Sequence, residues 1–586
     1  MRIFILALAV CTTLTFADNN STKDKEYILH IEASKNLDKD SIAKAIGEKE
    51  QNIMNFWSKE RIITKEFVDN IDSTLKGYLE NIGYFNAKID LKVNNNSVDV
   101  AINEGRAIRV KAIDISSNFK LKQIIDWKRD DIFSSDRFDT IKSKINKKLL
   151  ENGYCNAKVD TKAYVDLKQF SAKLNYKIDK GELCFFGKII IKKSPLDIKK
   201  EVIYSRVKYK EGELFDIRKI EESYTSLSAL NTFANVQIKY DLDKKSRYVD
   251  STITLDKKDK LRRYLIGLGV DSEVGLRAKM LWEKRDFLGN AKKITIKSKI
   301  SKDNQDINVE LFTPSFISYN NIYTDLYLIA GYSLEETNAY RDKEAYIKSY
   351  LDYNYKNFNV KLGLALENLD IKLKDNYEAK IGGVFNILYP YIMLIYDNRD
   401  SKIDPKNGYY VKLYGEYGLS CGNSGVEYFK YLVEGRAIKS FNDLTLSAVG
   451  KFGTIHEKSS YLPASKLFYG GGLFSNRAYG KDKIGAVINS KSFSALGGKS
   501  FLNLQLEANY KIHKRFYGAL FFDSTMISKD EYNFKGKRVD TLGVGLRYKS
   551  PIGPIKIDFG VNVHNRKDYA ISIMLGQSFW KNYSIF

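Results

Sequence analysis

The sequence has few proline, cysteine and histidine residues. Among 586 residues there are only 7 Pro, 4 Cys and 4 His. The histidines are scattered, and neither an H-E-x-x-H nor a G-x-S-x-G motif occurs. The four histidines are His30, His456, His513 and His564. We therefore expect no enzyme activity, no catalytic residue, no metal and no cofactor.

Long apolar runs are absent except at the N terminus. After residue 17, no stretch approaches the ~20 apolar residues that a membrane-spanning helix needs, which argues against a helical membrane protein. The start carries Arg2, an apolar core from Ile3 to Val10, and the small residues of Thr15-Phe16-Ala17 that a signal peptidase reads. We expect a signal peptide over residues 1–17 and export of the remaining chain.

Cysteine is too scarce to predict a disulfide framework. Cys11 lies in LAVC, which weakly resembles a lipoprotein signal, but Val10 is too large for that cleavage site. Cys155, Cys184 and Cys421 would remain after cleavage, an odd number of residues far apart in the chain. We therefore expect no set of structural disulfides.

Acidic residues are outnumbered, with 72 Asp and Glu against 95 Lys and Arg, so the formal net charge is +23. A basic cytosolic chain would suggest nucleic-acid binding. For an exported chain, Lys-rich strands and loops beside anionic lipid head groups explain the charge better. A solvated Lys-rich surface without a partner explains it equally well. We expect a lipid bilayer as a partner and no nucleic acid.

The chain is rich in aromatic residues, with 40 Tyr and 32 Phe, which favours strands. From about residue 26 to 256, one pattern of apolar spacing occurs three times: strand, helix, helix, strand, strand. We predict three α+β modules of β-α-α-β-β order. Their expected ranges are 26–105, 106–181 and 182–256. In the second module, the first helix is expected at LKQIIDW, residues 121–127.

A short motif marks the end of the long helix in each module. It reads GYFNAK from Gly83, GYCNAK from Gly153, and more weakly TFANV from Thr232. Glycine ends a helix in a left-handed cap, and the aromatic residue packs the helix onto the sheet. Repetition at separations of 70 and 79 residues argues against coincidence. The three modules resemble POTRA domains, the periplasmic modules of outer-membrane assembly proteins.

From about residue 258 to 586 the pattern changes to segments of roughly ten residues that alternate apolar and polar. In LNLQLE, from Leu502, leucines would face lipid and polar residues the lumen. The same alternation holds in IKIDFGV, from Ile555. Eleven candidate strands precede residue 456 and five follow residue 498. We therefore predict a sixteen-stranded antiparallel transmembrane β-barrel over 258–586.

The gap at about 457–498, the lumen loop, contains GGGLFSNRAYG from Gly470. This resembles the loop signature of the BamA/TamA superfamily of outer-membrane assembly proteins, GG…S-[VI]-R-G-[FY]. The residues that match the signature are Gly471, Gly472, Ser475, Arg477 and Tyr479. Asn476 replaces the usual Val or Ile, and Ala478 the usual Gly. An alanine at a glycine position with positive φ would be strained.

The resemblance implies that this loop folds back into the barrel and that Arg477 meets carboxylates on the inner wall. Two candidates are Glu507, inward in FLNLQLEANY, and Asp523, at the end of the apolar run in GALFFDS. The planar guanidinium suits bidentate pairing with carboxylates. The alternative is an exposed loop arginine and two ordinary lumen carboxylates.

The C-terminal region also resembles the superfamily. Residues 543–563 resemble its penultimate hairpin, with the turn at Ser550–Pro554, and residues 570–579 resemble its closing strand. Either Phe579 or Phe586 would be the terminal aromatic residue of that strand; the sequence does not choose between them.

Three modules and a sixteen-stranded barrel are closest to TamA-like members, the outer-membrane subunits of the translocation and assembly module. This resemblance implies a Gram-negative outer-membrane location, periplasmic POTRA domains, unfolded outer-membrane protein clients and a TamB-like inner-membrane partner. Gly267 and Gly269 in the first strand weaken it, and Gly576 allows a kink in the last. We expect a labile seam between 263–271 and 570–579, where clients insert.

Two other functions stay open on the sequence alone. One is a two-partner-type secretion pore that exports a polypeptide, which predicts ion conductance. The other is a passive structural role, in which the POTRA domains dock an inner-membrane protein.

Overall fold

The protein is described by a computed structural model. The described residues are 25–34, 36–49, 60–121, 123–195, 197–242, 246–319, 322–374, 381–402, 404–422, 425–459, 462–489, 494–513, 515–536, 538–550 and 553–575. The expected signal peptide, turn residues 551–552, Gly576, Phe579 and Phe586 lie outside these ranges. Among the described residues, no helix has the length and apolar character needed to cross a membrane.

The chain divides into two compact units. The first consists of Met1–Lys188, Glu211–Arg218 and Tyr240–Asp250; the second consists of Ile189–Lys210, Lys219–Lys239 and Ser251–Phe586. Three small sheets precede a closed barrel along the chain.

The first sheet has the strand order β2-β1-β4-β3, with β1 and β4 parallel. Its elements are β1 (Glu26–Glu32), α1 (Lys39–Ala45), β2 (Ile62–Thr64), α2 (Lys65–Val68), α3 (Ile71–Asn81), β3 (Lys88–Val93) and β4 (Ser97–Asn103). Helix α3 buries Ile71, Leu75 and Leu79, which recur every four residues and therefore lie on one face. That face packs in one core with the inward residues of β1 and β4.

The second sheet has the order β5-β7-β6. Its elements are β5 (Arg109–Ser117), α4 (Ser135–Glu151), β6 (Lys158–Asp166) and β7 (Ser171–Asp179). Ser134 caps α4 by accepting a hydrogen bond from the Arg137 N–H. The helix expected at 121–127 is wrong, because the described residues of this segment form turns. So short a segment is a weak helix on its own, and the Trp127 indole instead donates to the Tyr176 hydroxyl (2.9 Å) in the module core.

The third sheet has the order β8-β10-β9. Its elements are β8 (Phe185–Lys193), α5 (Lys200–Tyr204), α6 (Ile217–Ser228), β9 (Phe233–Tyr240) and β10 (Tyr248–Lys257). Within the second unit, α5 and β10 share an apolar core with Ala291 and Phe312 of the barrel region. The Lys257 ammonium lies 2.5 Å from a carboxylate oxygen of both Asp197 and Asp286. These contacts fix the strand that leads into the barrel.

The two repeated GYxNAK motifs form equivalent junctions in the first unit. The Gly83 carbonyl accepts from the Ile108 N–H, and the Gly153 carbonyl accepts from the Cys184 N–H, each at 2.8 Å. Both glycines have positive φ, +96° and +85°. At the third position of the motif, Phe85 packs on the second core, whereas Cys155 forms a disulfide with Cys184. The sequence prediction, which expects no disulfide framework, does not include this single disulfide; the turn at Gly153 brings the two distant cysteines together.

The barrel has sixteen strands joined in one closed antiparallel sheet, which confirms the predicted number. The strands are β11 (Arg262–Asp271), β12 (Gly275–Arg285), β13 (Lys293–Ile300), β14 (Asn304–Tyr319), β15 (Ile322–Glu336), β16 (Tyr340–Tyr355), β17 (Phe358–Leu373), β18 (Gly383–Asp397), β19 (Asn407–Ser420), β20 (Glu427–Phe441), β21 (Leu444–Glu457), β24 (Ser500–His513), β25 (Phe516–Ser528), β26 (Arg538–Ser550), β27 (Gly553–Asn562) and β28 (Tyr569–Leu575). Two short strands, β22 (Val487–Asn489) and β23 (Ser494–Leu496), lie in the lumen loop.

Side chains alternate between the two faces of the barrel wall as expected for a membrane barrel. On β24, Leu502 and Leu504 are exposed on the outer face, whereas Asn503 is 1% exposed on the inner face. The outer face is therefore apolar, and the inner face offers polar and charged side chains to the lumen loop.

Candidate functional site

The lumen loop connects β21 to β24, and its chain folds back on itself so that its two halves are joined by backbone hydrogen bonds. Gly470 and Ile484 exchange two backbone hydrogen bonds of 2.9 Å, and the Gly472 N–H donates to the Tyr479 carbonyl at 2.9 Å. Gly471 has φ +100°, and a Cβ there would lie 2.4 Å from the Gly480 carbonyl oxygen. The loop therefore needs glycine at this position, because any side chain would separate its two halves.

Arg477 at the tip of this turn is 4% exposed and bonds to the barrel wall. Its Nε and Nη2 donate to the two carboxylate oxygens of Asp523 at 2.9 and 2.8 Å, and its backbone N–H donates to the same carboxylate at 3.0 Å. Nη1 donates to Glu507, and the guanidinium carbon lies 3.5 Å from the centre of the Phe521 ring. The planar guanidinium group thus donates two hydrogen bonds to Asp523 and one to Glu507.

Two charged residues outside the sequence prediction complete this cluster. Arg547 pairs with Asp558 at 2.5 Å and reaches Glu507 at 3.3 Å, and Asp558 lies 3.7 Å from Nη1 of Arg477. Burial alone would lower the pKa of Arg477, but the hydrogen bonds and charges of Asp523 and Glu507 raise it well above its ordinary value. The loop arginine therefore stays charged among these carboxylates.

The two departures from the superfamily signature are accommodated. Asn476 is fully buried; its amide donates to the Val539 carbonyl at 3.1 Å, and its oxygen accepts from the Thr541 hydroxyl at 2.7 Å. Ala478 does not have a positive φ. The strain expected for an alanine at a glycine position therefore does not arise. The wall strand β26 supplies polar partners to Asn476, where the signature has an apolar side chain.

Ser475 and Tyr479 flank Arg477 and also contact the wall. The Ser475 carbonyl accepts from the Asn503 amide at 2.8 Å. The Tyr479 hydroxyl donates to Asp568 at 2.6 Å and accepts from the Asn562 amide at 2.7 Å. Burial first, and then the hydrogen bond to Asp568, raise the pKa of Tyr479 to about 12, so this hydroxyl keeps its proton at neutral pH.

A second buried cation holds the first part of the loop and has no counterpart in the sequence prediction. Lys466, in a 3₁₀ turn at Ala464–Lys466, donates to Glu367 on β17. Glu367 also lies 3.0 Å from the Lys348 ammonium and accepts from the Tyr389 hydroxyl. No motif marks Lys466; its only signal is a lysine within an otherwise apolar segment of the loop.

The seam is the place where β11 meets β28 and the barrel closes. Val270–Leu575 and Asp271–Met574 pair across it, next to the end of the described chain at Leu575. Gly267 and Gly269 lie in β11, next to this seam, and pair with β12.

The site is a set of ionic contacts between the lumen loop and the inner wall. Within the described ranges, no group of three or more His, Cys, Asp or Glu side chains could hold a metal ion. What the residues form is a buried ionic clasp between the lumen loop and the barrel wall.

Comparison with known families decides the class of the protein. The Omp85 superfamily domain matches residues 286–579, half of the chain. The chain belongs to the Omp85 superfamily. A second match, to the surface antigen variable number repeat of the POTRA family, covers residues 108–181. The superfamily assignment confirms the BamA/TamA resemblance, and with it an outer-membrane location in a Gram-negative bacterium and a periplasmic POTRA region.

Individual Omp85-type relatives are distant. The outer membrane protein assembly factor BamA of Nitratidesulfovibrio vulgaris is 19% identical over 587 residues, covering 94% of this chain and 73% of that protein. BamA of Buchnera aphidicola is 25% identical over 385 residues, covering 60% of this chain and 59% of that protein. The crystal structure of Haemophilus ducreyi BamA lacking POTRA domains 1–3 covers 80% of this chain and 99% of that one, with 16% identity and a TM-score of 0.55. This last likeness concerns the fold.

Proposed function

We propose that the protein assembles other β-barrel proteins in the outer membrane by accepting their strands at the seam. Two relatives that match this chain carry the name of outer membrane protein assembly factor. The observation that carries the proposal is the Omp85 superfamily match over residues 286–579, together with Gly267 and Gly269 in β11, which weaken the strand that meets β28.

The physical need for such a seam follows from the membrane. Each unpaired backbone N–H or C=O in the hydrocarbon costs several kcal/mol, so an unfolded client cannot enter lipid strand by strand on its own. An edge that opens easily offers backbone partners to the incoming strand.

The lumen loop would keep the rest of the wall in register while the seam opens. Arg477 joins the loop to Glu507 on β24 and Asp523 on β25, and its cluster extends to Asp558 on β27. A clasp that spans these strands resists their separation, so opening would be confined to the edge between β11 and β28.

The region before the barrel would capture clients. We propose that its three sheets are three POTRA domains, at 26–105, 106–181 and 182–256, whose edge strands bind extended client segments by β-augmentation. A TamB-like inner-membrane partner would dock on the same region. Within this proposal the chain acts as a TamA-like member of its superfamily.

The test is to lock the seam reversibly. In a Cys421→Ser background, Val270→Cys and Leu575→Cys place a cysteine pair at matched seam positions. The mature protein is reconstituted in liposomes, and folding of urea-unfolded barrel clients is followed by their change in gel mobility. We expect accelerated client folding, loss of the acceleration after oxidation, and recovery with reductant.

A matched control places the pair in a closed part of the wall. Ser349→Cys and Leu364→Cys are paired on β16 and β17, and their disulfide should leave client folding unchanged. Reductant alone must be tested on the parent protein, because it also opens Cys155–Cys184. Full activity of the locked seam would refute the insertion route. No acceleration together with steady ion conductance would favour the secretion pore instead.

A further inference from the structure

The turn between β11 and β12 carries a seam contact and a loop contact on adjacent residues. The Ser272 N–H donates to the Ile573 carbonyl, and the Ile573 N–H donates to the Ser272 hydroxyl, both at 3.0 Å. The next residue, Glu273, accepts a hydrogen bond of 2.7 Å from the Leu473 N–H of the lumen loop. One side of the seam is therefore tied to the loop.

The other side of the seam is tied to the same short segment. Tyr479 donates to Asp568, the residue immediately before β28, and accepts from Asn562, the last residue of β27. The segment from Leu473 to Tyr479 thus contacts the turn before β28 as well as the turn after β11. It bridges the two edges that meet at the seam.

Two glycines allow this close approach. A Cβ on Gly472, which has φ +85°, would lie 2.8 Å from a carboxylate oxygen of Glu273. A Cβ on Gly560 of β27 would lie 2.8 Å from the Arg477 carbonyl oxygen. The loop backbone is therefore packed directly against both partners, which any side chain would push apart.

We propose that Leu473–Tyr479 is a latch across the seam, with Glu273 and Tyr479 as its two positioning residues. While both hydrogen bonds hold, the latch keeps the turn after β11 and the turn before β28 at a fixed separation, so that β11 and β28 stay paired. Releasing either bond frees one edge without disturbing the Arg477 clasp. The importance of this latch for client insertion rests on the proposed function, but its effect on the seam does not.

Hydrogen exchange of the liposome-embedded protein tests the latch directly. The readout is the exchange rate of the backbone amides of Ser272 and Ile573, which bond across the seam. We expect Glu273→Ala and Tyr479→Phe each to speed this exchange by roughly five-fold, the effect of losing about one hydrogen bond. Glu273→Gln keeps an acceptor oxygen for the Leu473 N–H and should stay close to the parent rate.

The control is Glu310→Ala, which removes a lumen carboxylate on β14 that pairs with Lys297 on β13 at 2.6 Å. It should leave seam exchange unchanged. Parent-like exchange in both Glu273→Ala and Tyr479→Phe would overturn the latch, as would equal acceleration in Glu310→Ala. Client folding is measured on the same samples: faster exchange with unaltered client folding would support the latch and count against the proposed function.

Discussion

The lumen loop is anchored by two buried cations, Lys466 near its start and Arg477 at its tip, and the two anchors differ in what remains when the cation is removed. At Lys466, the wall carboxylate Glu367 keeps Lys348 and the Tyr389 hydroxyl as partners. At Arg477, Asp523 receives two side-chain hydrogen bonds and one backbone hydrogen bond from the arginine and is completely buried. Glu367 therefore keeps a cation without Lys466, whereas Asp523 keeps neutral donors, the backbone N–H of residue 477 and the Gln505 amide at 3.5 Å. Lys466 is in this sense the redundant anchor.

The largest expected effect is that of Arg477→Ala. Breaking a buried ion pair from one side leaves an uncompensated charge, which costs about 3–5 kcal/mol. We expect a loss of this size in the free energy of unfolding, measured by guanidinium titration in detergent with heat-modified gel mobility as the readout. Adding Asp523→Asn should recover part of the loss; no recovery would mean that the buried carboxylate is not its cause.

Asn476→Val tests the wall contacts beside Arg477, because it replaces Asn476 by the residue usual in the superfamily. The Thr541 hydroxyl and the Val539 carbonyl would lose their partner in a buried place, at a cost of about 2 kcal/mol. The same titration measures this loss. A variant as stable as the parent would show that neighbouring groups satisfy these atoms without Asn476.

Lys466→Met tests the redundant anchor. Because Lys348 and Tyr389 still bond to Glu367, we expect a loss of only about 1–2 kcal/mol, below that of Arg477→Ala. The measurement is again the free energy of unfolding, with Lys348→Met as the matched variant on the other side of the same carboxylate. A loss as large as that of Arg477→Ala would contradict the redundancy.

The smallest expected effect is the coupling between the anchors. Arg477 bonds to Asp523 and Glu507, whereas Lys466 bonds to Glu367 on a different part of the wall. The two losses should therefore add within about 0.5 kcal/mol in Arg477→Ala/Lys466→Met. A double-mutant cycle measures the coupling energy. A coupling energy well above this value would mean that the loop transmits strain from one anchor to the other.

The barrel could be predicted from the sequence because its signal is local. Alternation in segments such as LNLQLE sets the inward face of each strand, and counting these segments leads to sixteen strands. The same alternation places Glu507 inward, whereas Asp523, at the end of the apolar run in GALFFDS, is indicated by the superfamily resemblance. Asp558 has the same inward register in IKIDFGV and could have been found by it.

Other features depend on contacts that sequence spacing does not reveal. Glu273 lies in a turn and Lys466 in an irregular loop, so neither has a periodic position to indicate its partner. Residues 121–127 have apolar residues at helical spacing, yet Trp127 is held in the core by its hydrogen bond to Tyr176. Local pattern offers no means of weighing that long-range contact against one turn of helix.

Because of the disulfide at the second junction, the two equivalent junctions form under different conditions. Phe85 can pack as soon as the chain folds, but Cys155 and Cys184 can join only where thiols are oxidised, which means after export from the cytosol. Maturation of the N-terminal region therefore has an oxidative step that follows translocation. Protein refolded from a reducing cytosolic preparation would have the same sequence and one junction still unlinked.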